Sequence, residues 1–160
     1  MTQPILTGLP SVDRAWMKFY PEEVKNLTVP ECTLRDYLIK NCPGGEVSAI
    51  HYYGNNIDWH SIFEEADRTA RSLRALGFGE GDQIPVFLRT VPEFIFLLLA
   101  AEKIGASLLC RDNSIQENAE AISKTQTKTI IAHTFLSKEE MLAYQEAGVK
   151  YFVLVSPYNS

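Results

Sequence analysis

The sequence contains few cysteines, few histidines and no long apolar run. Cys32, Cys42 and Cys110 are odd in number and widely spaced, which predicts reduced thiols that behave as small apolar residues, not a zinc site. The longest apolar run, residues 94–101, is far too short to cross a bilayer. The first residues also lack the basic and apolar regions of a secretion signal. We therefore expect a cytoplasmic protein.

Sequence motifs that hold a phosphate, a metal ion or a nucleophile are missing as well. There is no G-x-x-x-x-G-K-[S/T], no G-x-S-x-G and no H-E-x-x-H. His51, His60 and His133 are too scattered to form a metal site. The adjacent glutamates at 64–65 and at 139–140 would not face one another on a helix, which favours solvated charges over an acid–base pair. No residue is assigned a catalytic, cofactor-binding or metal-binding role.

A glycine-rich segment from Gly77 to Gly81 comes nearest to a phosphate-binding loop. Such a loop follows a strand and opens a helix, so that backbone amides and the helix dipole meet the anion. Here a predicted helix comes first and a strand second, and Glu80 and Asp82 would repel phosphate. We interpret the segment as a structural helix-to-strand turn.

The composition is that of an ordinary globular protein. Hydrophobic residues make up 46% of the chain and charged residues 22%, so a single packed core is expected. The net charge is −5, from 15 basic and 20 acidic residues, which argues against a nucleic-acid partner because phosphate binding requires a basic face.

Local patterns predict helices that alternate with strands. Residues 1–32, with four prolines, predict an irregular arm, and Thr33 should cap a first helix. A hairpin is expected over 47–59 with its turn at 54–56. The remaining predicted elements are helices to residue 76, from 92 to 103, over 116–124 and over 137–146, and strands over 83–89, 107–110, 129–132 and 151–155.

Four finer expectations concern individual residues. An apolar stripe on the helix ending near residue 76 should face the core. Glu64 with Arg68, and Asp67 with Arg71, are spaced to pair on its wet side. Pro85 cannot donate a ladder hydrogen bond, so it indicates a strand start, an edge or a bulge. Residues 94–99 could line an acyl tunnel, but they are more typical of plain core. The apolar stripe of the helix that ends near residue 76 consists of Ile62, Ala66, Thr69, Ala70, Leu73 and Leu76.

These elements predict an α/β fold with a layered, mostly parallel sheet, flanking helices, a β-hairpin and an irregular N-terminal arm. The arm would be residues 1–32, and a partial α/β subdomain would occupy 33–160. A doubly wound sheet rarely ends on a bare strand, so we expect this subdomain to be incomplete relative to its parent fold.

The order of motifs from residue 57 onward resembles the opening of the adenylate-forming enzymes, in particular AMP-forming acyl-CoA synthetases. That family shows a Leu-Thr-Tyr start, a helix, a Gly-x-Gly-x-Gly-Asp turn, an apolar strand, a Pro-Glu-Phe helix and then Lys-x-Gly-Ala. The matching pieces here are Ile57-Asp58-Trp59, Gly77 to Asp82, Ile84 to Leu88, Pro92-Glu93-Phe94 and Lys103-Ile104-Gly105-Ala106. The leader from Trp16 to Val24 is similar to that of long-chain fatty-acid CoA ligases, whereas residues 110–113 lack the family's two prolines.

The resemblance implies a parent enzyme that joins a carboxylic acid to coenzyme A by way of an acyl-adenylate, using ATP and Mg²⁺. The family's phosphate loop and catalytic lysine lie downstream of the matched motifs, so neither is carried onto a residue here. The implied role of this chain is therefore a scaffold, inactive by itself and without a cofactor of its own. Its expected partner is the remainder of the ligase, with a dimer through the truncated face as a further possibility.

Two alternatives remain open at this point. The chain could be a fragment of an adenylation domain that loads a carrier protein, which only sequence beyond residue 160 would distinguish. It could instead be a self-contained α/β interaction module without catalysis, for which a stable monomer with no exposed apolar face would be the sign.

Overall fold

A computed structural model describes residues 7–110 and 114–156. The chain divides into two compact units, one ending at Cys32 and the other beginning at Thr33. The first unit contains α1 (Pro10–Asp13), a short 3-10 helix (Ala15–Phe19) and α2 (Glu22–Lys25). Two backbone amides, those of Thr7 and Gly8, donate to the Asp13 carboxylate at 2.8 and 2.9 Å. The arm expected to be irregular thus contains three short helical turns.

The second unit holds the regular elements. Their ends agree with the sequence-based expectation to within about two residues, because each is bounded by a strong local signal. They are α3 (Leu34–Asn41), β1 (Ser48–Tyr52), β2 (Asn55–Asp58), α4 (Trp59–Ala75), β3 (Gln83–Phe87), α5 (Pro92–Ile104), β4 (Ser107–Cys110), α6 (Ile115–Thr125), β5 (Thr129–His133), α7 (Lys138–Glu146) and β6 (Tyr151–Val155).

The sheet confirms the predicted α/β class. Strands β3 to β6 form a parallel sheet in the order β4-β3-β5-β6, and β1 pairs with β2 as an antiparallel hairpin. Successive strand residues point to opposite faces, and each face has its own core cluster. Ile131 packs with side chains of α4 and α5, while Ile130 packs with side chains of α6 and α7. Two helices therefore cover each side of the sheet.

Helix ends follow the expected caps. The Thr33 hydroxyl accepts from the Asp36 amide, and the Asp58 carboxylate accepts from the Ser61 amide. Ser114 and Ser137 each form a capping box with the glutamate three residues later. These bonds satisfy amides that a helix start leaves without an internal partner.

The hairpin turn lies one residue earlier than expected. The turn residues are Tyr53 and Gly54, with φ of 47° and 87°, and Asn55 already pairs with Tyr52. Two successive positive φ values match the right-handed twist of the flanking strands. The expectation of a turn over 54–56 was wrong because it assigned the tight turn to the asparagines and not to a tyrosine.

Pro85 lies in the middle of an interior strand, so the expected strand start, edge or bulge was wrong. It is one of the most deeply buried residues, and it pairs in register with Leu109 of β4. The ladder from β3 to β5 begins only at Val86. The interior strand tolerates the missing amide because its second neighbour joins just after the proline.

The apolar stripe of α4 is confirmed over most of its length. Ile62, Ala66, Ala70 and Leu73 are all buried. Leu76 follows the last helical residue and is 44% exposed, so it leaves the stripe. The cysteines fit their expectation less well, since Cys32 and Cys110 are exposed, although all three are free thiols.

The ion pairs of α4 differ from the expected spacing. Asp67 bonds Arg35 of α3 at 2.9 Å and Lys103 of α5 at 2.8 Å, and Arg68 pairs with Glu65. Tertiary partners thus compete successfully with the neighbour four residues along the same helix. The result is a charged junction that joins α3, α4 and α5.

Glu102 extends this junction at the start of α3. Its carboxylate accepts from the backbone amides of Leu34 and Arg35 at 2.6 and 2.9 Å. A side chain from a distant helix therefore satisfies two amides of the first turn of α3. The helix dipole also favours the negative charge of Glu102 at this end of α3. Helix α3 is thus bonded to the neighbouring helices both through the Arg35 side chain and through its first backbone amides.

We expect Asp67→Asn to lower the free energy of unfolding by about 1 kcal/mol near neutral pH. The bond from Lys103 and the charge of Arg35 hold the pKa of Asp67 below its ordinary value of 3.8. The stabilisation that the ionised Asp67 carboxylate gives the fold is therefore fully present above the unfolded-state pKa. It is lost as the pH falls through the lower folded-state pKa. Urea unfolding near pH 7 and near pH 2 should show the difference between wild type and variant at the first pH only.

The matched control is Glu120→Gln, which removes the well exposed partner of Lys124. Its effect should stay within about 0.5 kcal/mol because both side chains are solvated. Equal losses for Asp67→Asn and Glu120→Gln would contradict a stabilising role for the junction.

Candidate functional site

The connections of the sheet leave a crevice at its carboxyl edge. The chain leaves β3 through α5 on one face, and it leaves β5 through α7 on the opposite face. Because β3 and β5 are neighbours, the loops after them diverge. Ligands of open α/β sheets bind in the crevice outside the strand ends where connections diverge in this way. The candidate site is therefore sought near the ends of β3 and β5.

The first cavity, which we call the α4 groove, lies between α4 and the sheet and has a volume of about 520 Å³. Ile131, Val153 and Val155 form its floor on β5 and β6, and Leu73 lies on its α4 wall. Glu65 and Glu93 are the charged residues that line it. Its mainly apolar lining suits another protein segment or an apolar group better than a free phosphate.

The second cavity, which we call the hairpin cavity, lies beyond the ends of β3 and β4 and has a volume of about 680 Å³. Its apolar walls come from the hairpin, the end of β3 and the first turns of α5. They include Ile50, Tyr52, Leu88, Val91, Phe94 and Ile95. Arg89, Thr90 and His51 provide the polar groups, and no carboxylate side chain of the described residues lines this cavity.

Helix α5 contributes to both cavities as well as to the core. Leu97 and Leu99 are buried, Phe96 and Leu97 line the α4 groove, and Ile95 lines the hairpin cavity. Residues 94–99 thus include core positions and cavity-lining positions, and Leu97 is both; their role in an acyl tunnel stays a prediction.

The glycine-rich turn is structural, as interpreted from the sequence. Gly79 donates its amide to the Asp82 carboxylate at 2.7 Å, and the Gly81 amide donates to the Gly105 carbonyl at 2.9 Å. The turn connects α4 to β3 and is bonded to the end of α5. Its amides thus serve the fold and are not directed to an anion.

The histidines lie apart, on separate elements. His51 Nδ1 is 2.7 Å from Asn56 Oδ1 in the hairpin, His60 lies 3.4 Å from Glu64, and His133 Nδ1 accepts from the Phe135 amide at 3.0 Å. Across residues 7–110 and 114–156, no three metal-ligating side chains come together. The junction of Asp67, Arg35 and Lys103 is the polar cluster that sequence spacing missed, because its members come from three helices.

Within the described ranges, no helix combines the length and apolar character that crossing a bilayer requires. Residues 111–113, part of the segment that lacks the family's two prolines, lie outside the described residues.

Comparison with known proteins connects this fold to one family. The family model described as AMP-binding enzyme matches residues 41–156. Acetyl-coenzyme A synthetase of Pseudoalteromonas atlantica is 27% identical over 95 residues, covering 54% of this chain and 15% of that protein. Long-chain-fatty-acid–CoA ligase of Bacillus subtilis is 27% identical over 84 residues, with 51% and 15% covered.

Solved structures agree on the fold. Apo MatB from Rhodopseudomonas palustris superposes with a TM-score of 0.64 at 19% identity, covering 77% of this chain and 25% of that one. A benzoate CoA ligase from Burkholderia xenovorans gives a TM-score of 0.66 at 18% identity, covering 76% and 25%. The aligned part of this chain spans only about 15% of the length of the acetyl-coenzyme A synthetase and of the long-chain-fatty-acid–CoA ligase.

The family match covers most of the second unit, and the parallel sheet with its hairpin is the architecture of the N-terminal part of adenylate-forming enzymes. The chain therefore belongs to the AMP-binding enzyme family.

Proposed function

We propose that this chain is the N-terminal part of an ATP-dependent, AMP-forming carboxylate–CoA ligase that acts on fatty acids in the cytoplasm. The observation that carries the proposal is the family match over residues 41–156 on a sheet of the same architecture. In the family reaction a carboxylate attacks the α-phosphate of ATP, pyrophosphate leaves, and the acyl group then passes to the thiol of coenzyme A.

Two features support a fatty-acyl substrate, namely the leader and the apolar cavities. The leader from Trp16 to Val24 is similar to that of long-chain ligases. Relatives named for long-chain fatty acids and for acetate are equally similar, at 27% identity, so the choice of acid rests on the leader and the cavities. The cavities beside the sheet are mainly apolar, which suits neighbours of hydrocarbon character.

The described residues do not fit ATP and Mg²⁺. A magnesium–nucleotide site requires clustered oxygen ligands and amides that converge on phosphate. The described ranges present no cluster of three metal-ligating side chains, and the glycine-rich turn bonds to its own fold. We therefore derive no step through the nucleotide and propose that this region acts as scaffold.

We propose that the remainder of the ligase covers the α4 groove. Val153 and Val155 of its floor on β6 are only half-buried, whereas Ile131 beside them is already buried in the core. A partly exposed apolar floor is stabilised when another segment removes it from water. In the isolated chain the same surface would support self-association into a dimer.

The test is an assay of the purified 160-residue chain with ATP, Mg²⁺, coenzyme A and a series of fatty acids, with pyrophosphate release as the measurement. We expect no turnover above the enzyme-free background for the chain alone. A full-length protein encoded by the same reading frame should release pyrophosphate only with a carboxylic acid present. Acid-dependent turnover by the 160-residue chain would contradict its role as an inactive scaffold.

A further inference from the structure

Strand β6 forms an open edge of the parallel sheet. Among the described residues, β5 is its one neighbouring strand. The Tyr151 amide donates to a carbonyl just before β5 at 2.9 Å, and the Val155 carbonyl accepts from an amide just after β5 at 3.0 Å. Because backbone groups alternate in direction along a strand, the amides and carbonyls of Phe152 and Leu154 point to the open side.

The side chains of β6 lack the features that usually keep an edge strand unpaired. The strand reads Tyr-Phe-Val-Leu-Val, without a charge, a proline or a glycine, and it pairs with β5 without a bulge. Tyr151 and Leu154 are 62% and 49% exposed, whereas the exposed side chains of β4, at the other edge, are those of Ser107 and Cys110. Strand β6 is therefore the edge that is better suited to pairing with another strand.

The residues of β6 are complementary to those of a second β6 strand. In an antiparallel pair centred on Val153, Phe152 lies opposite Leu154 of the second copy, and the two residues exchange both of their backbone hydrogen bonds. Tyr151 lies opposite Val155 of the second copy, which makes an aromatic and β-branched pair of the kind that stabilises sheets. Both the backbone directions and the side chains thus agree with this register.

We propose that two copies of this chain pair antiparallel along β6, with Val153 on the twofold axis, and join their four-stranded sheets into one. Lys150, the charge next to the strand, then lies opposite Ser156, so like charges do not face one another. Tyr151 of the second copy lies beside Val155, on the half-buried floor of the α4 groove. This pairing gives a defined contact to the self-association proposed for the isolated chain, and it rests on that part of the proposed function alone.

Disulfide cross-linking tests the pairing and its register. Val153→Cys, in a chain whose native cysteines at 32, 42 and 110 are replaced by serine, should cross-link two copies under mild oxidation. The two Cα atoms of such a non-hydrogen-bonded pair lie about 4.5 Å apart, within the reach of a disulfide. Tyr151→Cys in the same background is the control, because its thiol is more exposed but the two copies of residue 151 would lie roughly 13 Å apart. Equal or faster cross-linking through residue 151 would overturn the proposal.

Sedimentation equilibrium of the 160-residue chain measures the strength of the pairing. We expect a reversible monomer–dimer equilibrium, which Leu154→Pro should weaken about tenfold or more, because the lost amide points to the second copy and not to β5. Leu154→Ala keeps this amide and should weaken dimerisation less, and circular dichroism should show that both variants fold. A monomer at every concentration would contradict the proposal, as would equal dimerisation of the wild type and Leu154→Pro or an equal loss for the two variants.

Hydrogen exchange of the wild-type chain provides a measurement that needs no substitution. As the concentration rises, the amides of Phe152 and Leu154 should exchange more slowly, whereas the Val153 amide, which points to β5, should be protected in the monomer as well. Exchange at Phe152 and Leu154 that does not depend on concentration would rule out the pairing. The pyrophosphate assay measures a different property, so the ligase proposal and the β6 pairing fail separately.

Discussion

Replacement of Tyr144 by alanine is expected to lower the free energy of unfolding by about 3–5 kcal/mol. Tyr144 is 1% exposed, and its ring stacks on Phe87 of β3 with centroids 5.2 Å apart. Alanine would lose this apolar contact and leave a cavity between α7 and the sheet, where Ile122, Ile130 and Val149 form the rest of the cluster. The loss would be a large part of the stability of a domain of this size.

Tyr144→Phe is the matched control, because it keeps the ring and removes only the hydroxyl. Burial raises the pKa of Tyr144, and the nearby side chain of Asn118, which is itself buried, opposes that rise. We expect Tyr144→Phe to cost about 1–2 kcal/mol, less than half the loss for alanine. Urea unfolding followed by circular dichroism measures both. A Tyr144→Ala loss below about 1 kcal/mol would contradict this account of the cluster.

Gly105→Ala is expected to destabilise the protein by about 2–4 kcal/mol, through two separate effects. Gly105 ends α5 with a φ of 78°, a conformation that side chains rarely adopt. A Cβ at this position would also lie 3.1, 3.2 and 3.3 Å from the Cγ, Cβ and Cα of Glu80. The Glu80 backbone cannot move freely, because the neighbouring Gly81 amide donates to the Gly105 carbonyl.

Gly77→Ala separates the two effects. Gly77 also has a positive φ, of 93°, but a Cβ there would have no atom within 4 Å. Gly77→Ala should therefore lower the free energy of unfolding only by the cost of placing alanine at a positive φ, about 1–2 kcal/mol. Thermal unfolding of both variants measures the difference, and equal losses would show that the contact with Glu80 contributes nothing.

Much of the fold could be predicted from local patterns. The burial of Ile62, Ala66, Ala70 and Leu73 along α4 follows the helical period, and Pro92 marks the first turn of α5 as expected. The candidate site was much less predictable. Arg89 and Thr90 follow β3 without any motif, and only the packing of the hairpin against α5 and the strand ends makes them part of a cavity.

The sequence-based predictions were wrong where contacts between distant elements outweighed a local rule. Asp67 was expected to pair with Arg71 along its own helix, but it bonds Arg35 and Lys103 from α3 and α5. Pro85 was expected at a strand start, an edge or a bulge, but it lies in the middle of a strand that the strand order places in the interior of the sheet. Both outcomes depend on residues that are distant in the chain, which spacing within one element does not reveal.

By itself, the sequence determined the succession of helices and strands, the parallel α/β class and the resemblance to adenylate-forming enzymes. These properties depend on periodicity, caps and turns, whose physical causes act over a few neighbouring residues. Only the tertiary structure decided the strand order β4-β3-β5-β6, the junction of α3, α4 and α5, and which charged side chains of the described residues line each cavity. Those features arise when burial of apolar faces brings distant elements together, as in the bond from Leu34 to Glu102 across 68 residues.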